Sequence, residues 1–289
     1  MKGKKYIIVV IILVLAFVGI SIVKYGEHSN DNSSSADLIK SDSIQQFWAY
    51  YNTATDFRLQ GKTDSAIKSY QDALTVNQKH EDALYYIGNM FMNAGDYGQA
   101  QSSWEKLVKI NPQSERAYIQ LGNIYFCINH PDQFHAEKSK SYFEHAANLN
   151  KETLSPNLKL GEISLFQNKL NEAFGMFNKL LMMDHKNAEI FFIIGYLNWK
   201  SGNELNARKN LAQSLEIGMA TAAITEQGEK TNATKSESII KKRECDLFMN
   251  WLIENLIVSK KYDIKTEMPT VYKNFDQYLK AMREQLNND

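Results

Sequence analysis

Residues 81–112 read EDALYYIGNMFMNAGDYGQAQSSWEKLVKINP. Leu84, Ile87 and Phe91 recur at the spacing that lines one face of a helix. Ala100, Trp104 and Leu107 do the same further on. Gly95 lies between the two runs, and Pro112 follows the second. The stretch is therefore a helix, a tight turn and a second helix. Gly88 and Ala100 are small enough to let the two backbones approach. The large residues fill the space around them.

The pattern returns in register with a pitch near 34 residues. Unit 47–80 has Tyr50, Ala54, Phe57, Ala66, Tyr70 and Ala73. Unit 81–114 contains the stretch above. Unit 115–153 has Tyr118, Leu121, Gly122 and Tyr125, then Phe143 and Ala146, its second half arriving five residues late. Unit 154–187 has Leu160, Gly161, Ala173, Phe177 and Leu180, and unit 188–218 has Phe191, Ile194, Gly195, Gly202, Ala207 and Leu211. Departures occur: Asn157, Ser164 and Asn198 stand where the other units place larger or apolar residues.

These residues and spacings resemble the tetratricopeptide repeat over residues 47–218. The resemblance implies an all-α, right-handed α-solenoid of about five helix-turn-helix repeats. One such unit cannot bury its apolar face alone, so neighbours stack. After it, residues 219–237 are polar and read as a linker. Residues 238–289 read as a C-terminal helical cap. There Ile240, Phe248, Trp251, Leu252 and Leu256 share one stripe, and Tyr272, Phe275, Leu279, Met282 and Leu286 another. Pro269 reads as the start of the last helix. A solenoid's final helix exposes an apolar face unless something amphipathic covers it.

The chain is 289 residues long, with 33 Lys+Arg against 33 Asp+Glu, 44% hydrophobic residues, two Cys and four Pro. Zero net charge weighs against a nucleic-acid-coating protein, which needs a basic surface. Two cysteines exclude a disulfide-built scaffold. The charge is unevenly placed. Residues 1–24 contain Lys2, Lys4, Lys5 and Lys24 and no acid, whereas 25–46 contain Glu27, Asp31, Asp37 and Asp42 against Lys40. Tyr6–Val23 is an 18-residue uncharged run, long enough to cross a bilayer core. Residues 1–24 are therefore expected to form a single transmembrane signal anchor. The lysine bias places the N-terminus in the cytoplasm and the repeats in a periplasm or extracellular space. A signal cleaved near Gly19-Ile20-Ser21, giving a secreted chain, is the competing reading. The polar residues 25–46 read as a flexible tether.

In the resembled family the first helix of each unit lines a concave groove. Carrying those positions over gives Trp48, Tyr51 and Arg58 from the first unit, Tyr85 and Asn89 from the second, and Arg116, Asn123 and Phe126 from the third. Lys159 comes from the fourth, and Phe192, Tyr196 and Trp199 from the fifth. Tyr, Trp and Arg commonly anchor interfaces, so protein or peptide partners are expected. The competing reading packs these aromatics against the cap or neighbouring units. A two-carboxylate clamp of Lys and Asn residues, as some family members carry, is not expected. The aligned residues are Tyr85, Asn89, Gln120, Ser155 and Lys159, and among them only Asn89 matches fully.

No catalytic constellation appears: there is no Gly-rich phosphate loop, GxSxG elbow or CxxC. An enzyme is not expected, nor a cofactor. The insertion holding His130, His135 and Glu137 lacks metal-ligand spacing and reads as an exposed connector. Cys127 and Cys245 pair if the domain lies in an oxidising compartment. Otherwise each is a small apolar filler. The sequence therefore predicts a membrane-anchored scaffold that binds partners, and the resemblance implies a place in envelope-protein assembly, secretion or maturation. A structural subunit of a larger membrane complex is the alternative.

Overall fold

A computed structural model describes residues 35–127, 134–230, 245–257 and 264–287. Every regular element in them is helical. Five helical pairs follow in chain order: α1 (Ser35–Leu59) with α2 (Thr63–Val76), α3 (Glu81–Asn93) with α4 (Tyr97–Ile110), and α5 (Glu115–Tyr125) with α6 (Ala136–Leu149). Then come α7 (Leu154–Phe166) with α8 (Leu170–Met183), and α9 (Ala188–Lys200) with α10 (Glu204–Lys230). Within this series each helix packs chiefly on the helix before and the helix after it. That is the one-dimensional stacking expected of a solenoid.

The packing rule quoted from the sequence holds at atomic detail. A Cβ added to Gly122 would lie 2.7 Å from Phe143, and one on Gly161 2.9 Å from Phe177. Gly88 meets the Trp104 ring in the same way. Ala66, Ala100, Ser139, Ala173 and Ala207 are fully buried in the equivalent place on the second helix. Trp104 Nε1 donates to the Tyr85 carbonyl at 3.2 Å, so the ring is both packed and satisfied. The turn between paired helices needs a left-handed residue. Gly61, Gly95 and Gly202 supply it with φ of 72°, 78° and 80°, and Asn168 stands in at 60°.

A second repeated device closes the first four units. The side-chain oxygens of Asn77, Asn111, Asn150 and Asp184 accept from the backbone N–H two residues on, at 2.9–3.2 Å. These Asx turns end the second helix and aim the chain at the next unit.

Three boundaries differ from the sequence reading. Helix α1 begins at Ser35, inside the stretch 25–46 read as a tether. Residues 41–46 are mostly exposed, so no apolar period marks this part of the helix. Helix α10 runs on to Lys230, through most of the expected linker 219–237. The last helix, α12 (Ile264–Asn287), contains Pro269 rather than starting there. Pro269 is the sixth residue of that helix, past the four N–H groups that lack an intrahelical partner, so the helix forgoes one backbone hydrogen bond there. Between α10 and α12 lies α11 (Leu247–Leu252), which continues into a π turn at Ile253–Ile257.

The buried apolar residues form two cores. One runs from Ala54 to Tyr125 through the first two pairs and α5. The other starts at Phe126 and takes in the fourth and fifth pairs with the whole described C-terminal arm. Among the described residues, no helix is long and apolar enough to cross a membrane. The apolar run 6–23, and with it the expected anchor, lies outside them.

Candidate partner-binding groove

The first helix of each pair carries the residues named above as groove candidates. The structure divides them into an open set and a covered set.

The open set lies on α1, α3 and α5. Trp48 is 46% exposed. Tyr51, Arg58, Tyr85, Asn89, Arg116 and Asn123 are half-buried. Arg116 stacks over the Tyr85 ring at 4.4 Å and pairs with Asp82, while Gln120 Nε2 donates to the Tyr85 hydroxyl at 3.3 Å. Arg58 lies 4.5 Å over the Tyr86 ring. Phe47, Trp48 and Tyr51 gather round the His80 ring at 4.4, 5.7 and 5.3 Å. His80 Nδ1 accepts from the Ala83 N–H at 3.2 Å and so caps α3. Burial holds its pKa below the usual histidine range, which keeps that nitrogen an acceptor. Burial, with Asp82 nearby, pushes the Tyr51 hydroxyl up to about 12, so it remains a neutral donor.

The covered set is a correction. Phe126, Phe192 and Tyr196 are sealed, Lys159 is buried, and Trp199 is half-buried. The C-terminal arm lies over Lys159, Phe192, Tyr196 and Trp199 instead of merely closing the end of the solenoid, while Phe126 is covered by Phe134 and Phe166. Cys245 is bonded to Cys127 at the end of α5, with Cα atoms 4.4 Å apart. Asp246 accepts from Lys159 Nζ at 3.0 Å on α7. Phe192 on α9 meets Trp251 at 5.4 Å and Phe275 edge-on at 4.9 Å. Asp276 accepts from Tyr196 at 2.6 Å and from Lys200 at 3.0 Å. Burial alone would raise the Asp276 carboxyl. Those two hydrogen bonds, with the charges of Lys200 and Arg283, outweigh it and hold it below the usual carboxylate range. Arg283 donates to the carbonyls of Phe166 and Leu165, capping the C-terminus of α7.

The arm also completes the last repeat. Tyr70, Trp104, Phe143 and Phe177 fill the place where Leu211 stands in the fifth unit. Leucine is too short for the hollow over Gly195. Tyr272 of α12 enters it, and its hydroxyl donates to the Ala207 carbonyl at 3.1 Å.

Buried charge concentrates under the arm. Lys159 Nζ donates to both oxygens of Glu162, at 2.8 and 2.9 Å, and Glu189 lies beside them. Lys159 is therefore engaged inside the fold and does not face a ligand. His135 of the insertion caps α6 through Nδ1 to the Lys138 N–H at 3.2 Å, and Glu137 accepts from Gln167 at 2.6 Å. His130 lies outside the described residues. Sequence reasoning did not single out Asp246, Asp276 and Arg283 as site residues. Their partners are 87, 80 and 117 residues away, so no spacing signals them.

Residues 81–114 match the family model described as Tetratricopeptide repeat. This unit is a tetratricopeptide repeat. The third and fourth pairs keep its packing of a glycine against a ring of the same pair, and in the fifth the ring over Gly195 comes from Tyr272. Among solved structures, the MamA protein superposes with a TM-score of 0.53 at 20% identity, covering 67% of this chain and 99% of that one. The pilF protein of Pseudomonas aeruginosa does so with a TM-score of 0.52 at 16% identity, covering 82% and 99%. Both show the fold alone. The BBSome complex member BBS4 of Mus musculus is 25% identical over 150 residues, 52% of this chain and 28% of the relative. Anaphase-promoting complex subunit 3 of Schizosaccharomyces pombe is 22% identical over 228 residues, 76% and 30%. The chain thus spans less than a third of the length of these two curated relatives.

Proposed function

We propose that this chain is a membrane-anchored tetratricopeptide scaffold that binds a partner protein or peptide on the open groove of α1, α3 and α5. The observation that carries the reading is the half-exposed strip of Trp48, Tyr51, Tyr85 and Arg116, with Asn89 and Asn123 beside it. Aromatic, guanidinium and amide groups on rigid helices bind with little loss of freedom. Envelope-protein assembly, secretion or maturation is the setting that an anchor at residues 6–23 with outward-facing repeats fits. The Cys127–Cys245 bond supports an oxidising location, where such bonds persist. A non-enzymatic role fits the cleft between α8 and α9, about 380 Å³, whose lining Leu170, Asn171, Phe174, Leu197, Lys200 and Ser201 offers one charged group.

A second reading has its own support. The two curated relatives above are named as members of multi-protein complexes. On this reading the repeats join permanent neighbours and the open strip is a fixed interface.

A photo-crosslinking amino acid placed at Tyr85 of the full chain tests both. A transient partner crosslinks at Tyr85, and Asn89→Ala with Arg116→Ala abolishes the adduct. The same probe at Phe192 reaches only the chain's own C-terminal arm. Undiminished crosslinking in the double variant sinks the groove reading, and an adduct that co-purifies stoichiometrically before irradiation favours the subunit reading. A C-terminal reporter active only outside the cytoplasm tests the orientation; activity in the cytoplasm instead would invert it.

A further inference from the structure

Four ionisable groups meet beneath the start of the C-terminal arm. Lys159 and Glu162 lie one turn apart on α7, Glu189 is on α9, and Asp246 is the residue after the disulfide-bonded Cys245. Oxygens of the three carboxylates lie within 4.8 Å of one another. Lys159 Nζ holds Glu162 at 2.8 and 2.9 Å and Asp246 at 3.0 Å. Glu162 is 0% and Glu189 3% exposed. Among the described residues, the charged groups acting on Glu189 are Glu162, Lys159 and Asp246. One ammonium thus faces three carboxylates, two of them buried and Asp246 partly exposed.

Glu189 is the member left over. Its Oε1 is buried without a hydrogen-bond partner. A buried carboxylate without a cation is too costly to persist, so this group must carry a proton. Protonated, it donates to Glu162, the neighbour with which it shares a hydrogen bond. The seat of the arm then contains one acid, two carboxylates and one ammonium. Asp246, partly exposed, is the member that can leave without disturbing a repeat.

We propose that this cluster is a proton-operated catch on the C-terminal arm. With a proton between Glu162 and Glu189, Asp246 stays seated on Lys159 and the arm covers α7 and α9. Loss of the proton sets three charges against one lysine, displaces Asp246 and uncovers Phe192 and Tyr196. The uncovered surface fits a segment of the chemistry that now fills it, aromatic side chains with a carboxylate such as Asp276. The disulfide at the adjoining residue limits the same motion, so the catch acts most freely once that bond is reduced.

The direction of the response follows from the burial. Burial raises the Glu162 carboxyl to about 7 against the pull of Lys159, and burial with the Glu162 charge raises Glu189 well above its ordinary range. An acid raised in the folded state stabilises the seat fully below its ordinary value of 4.5. It loses that contribution as pH rises through the folded value. The catch therefore holds in acid and loosens progressively as pH rises from about 4.5 through about 7.

Hydrogen exchange of the full chain, followed by mass spectrometry from pH 5 to 9 and corrected for the intrinsic rate, tests this. With the disulfide reduced by a phosphine, protection of residues 245–257 is expected to fall by roughly tenfold or more across the range, since one linked proton changes an equilibrium tenfold per pH unit. Residues 81–114 should keep theirs. Glu189→Gln keeps a donor but cannot ionise, so its profile should be shallower, with Glu162 alone left to titrate. If that variant does not fold, Asp246→Asn should flatten the slope from the exposed side. A flat profile in the unsubstituted reduced chain overturns the proposal, and so does an unchanged slope in whichever variant folds.

Discussion

Tyr85 and Phe192 hold the same position in their units, and so do Asn89 and Tyr196, yet the first pair is half-exposed and the second is sealed. The helices beneath them obey one packing rule. What differs is what lies above. Over α9 the chain lays its own aromatic residues and a carboxylate, and over α3 it lays nothing that the structure describes. The comparison shows that the groove's side chains engage an amphipathic helix when one is supplied. It also shows that exposure on a repeat surface is decided outside the repeat. The open half carries Arg58 and Arg116 stacked on tyrosines. The closed half spends its lysines on Asp246 and Asp276.

Truncation separates the halves most sharply. Phe275→Ala removes a fully buried ring that touches Phe192, Tyr196 and Trp251. It should destabilise the C-terminal half by about 3–5 kcal/mol. Tyr85→Ala, at the open surface, should cost no more than about 1 kcal/mol. Denaturant unfolding compares the two, and equal losses would mean that the arm is not integral to the fold. Reducing the disulfide comes next. The bond closes a loop spanning 118 residues, and its loss should cost about 2–4 kcal/mol. The cost should fall on the C-terminal half, giving a second, earlier thermal transition while α1–α4 melt as before. Gly88→Leu should cost about 1–3 kcal/mol by driving a side chain into Trp104. Gly98→Ala, whose added Cβ would meet only Asp96 at 3.8 Å, should not lower the melting temperature and should raise it slightly, since alanine has less chain freedom to lose. An unchanged temperature for Gly88→Leu would show that the repeat register is misread.

How far the sequence carried the reader differs between the halves in the same way. Gly88 with Trp104 and Gly122 with Phe143 were legible because both partners lie within one unit at a repeated spacing. The left-handed turn at Gly95 and the Asx turns at Asn77 and Asn111 repeat just as regularly but were passed over. The open residues Trp48, Tyr51 and Tyr85 came from a positional rule that holds wherever nothing covers the groove. Phe192 and Tyr196 came from the same rule and proved covered, because α12 returns from 80 residues away and no local spacing records a return. The amphipathic stripe of Tyr272, Phe275 and Leu279 showed that the arm had to be buried. It did not show against which face. Tyr272 completing the hollow over Gly195 could have been suspected from Leu211, the one aliphatic residue in a column of aromatics.

The smallest expected effect sets the halves against each other by sign. In the open half, burial lowers the His80 pKa below its ordinary value of 6.5. A base lowered in the folded state contributes fully above 6.5 and loses that contribution as pH falls through the folded value. In the closed half, Glu162 is raised from 4.5 to about 7, so its contribution is present below 4.5 and lost as pH rises through 7. Asp276, held below its ordinary 3.8, titrates beneath this range and does not interfere. Between pH 7 and pH 5 the α1–α3 region should therefore lose protection from hydrogen exchange while the α7–α9 region gains it. His80→Asn keeps a side-chain acceptor at the N-terminus of α3 and removes the titration, so it should flatten the first slope and leave the second. Slopes of the same sign in both regions would break the comparison, since a single cooperative unit would then be responding as a whole and the boundary between the two cores would carry no thermodynamic meaning.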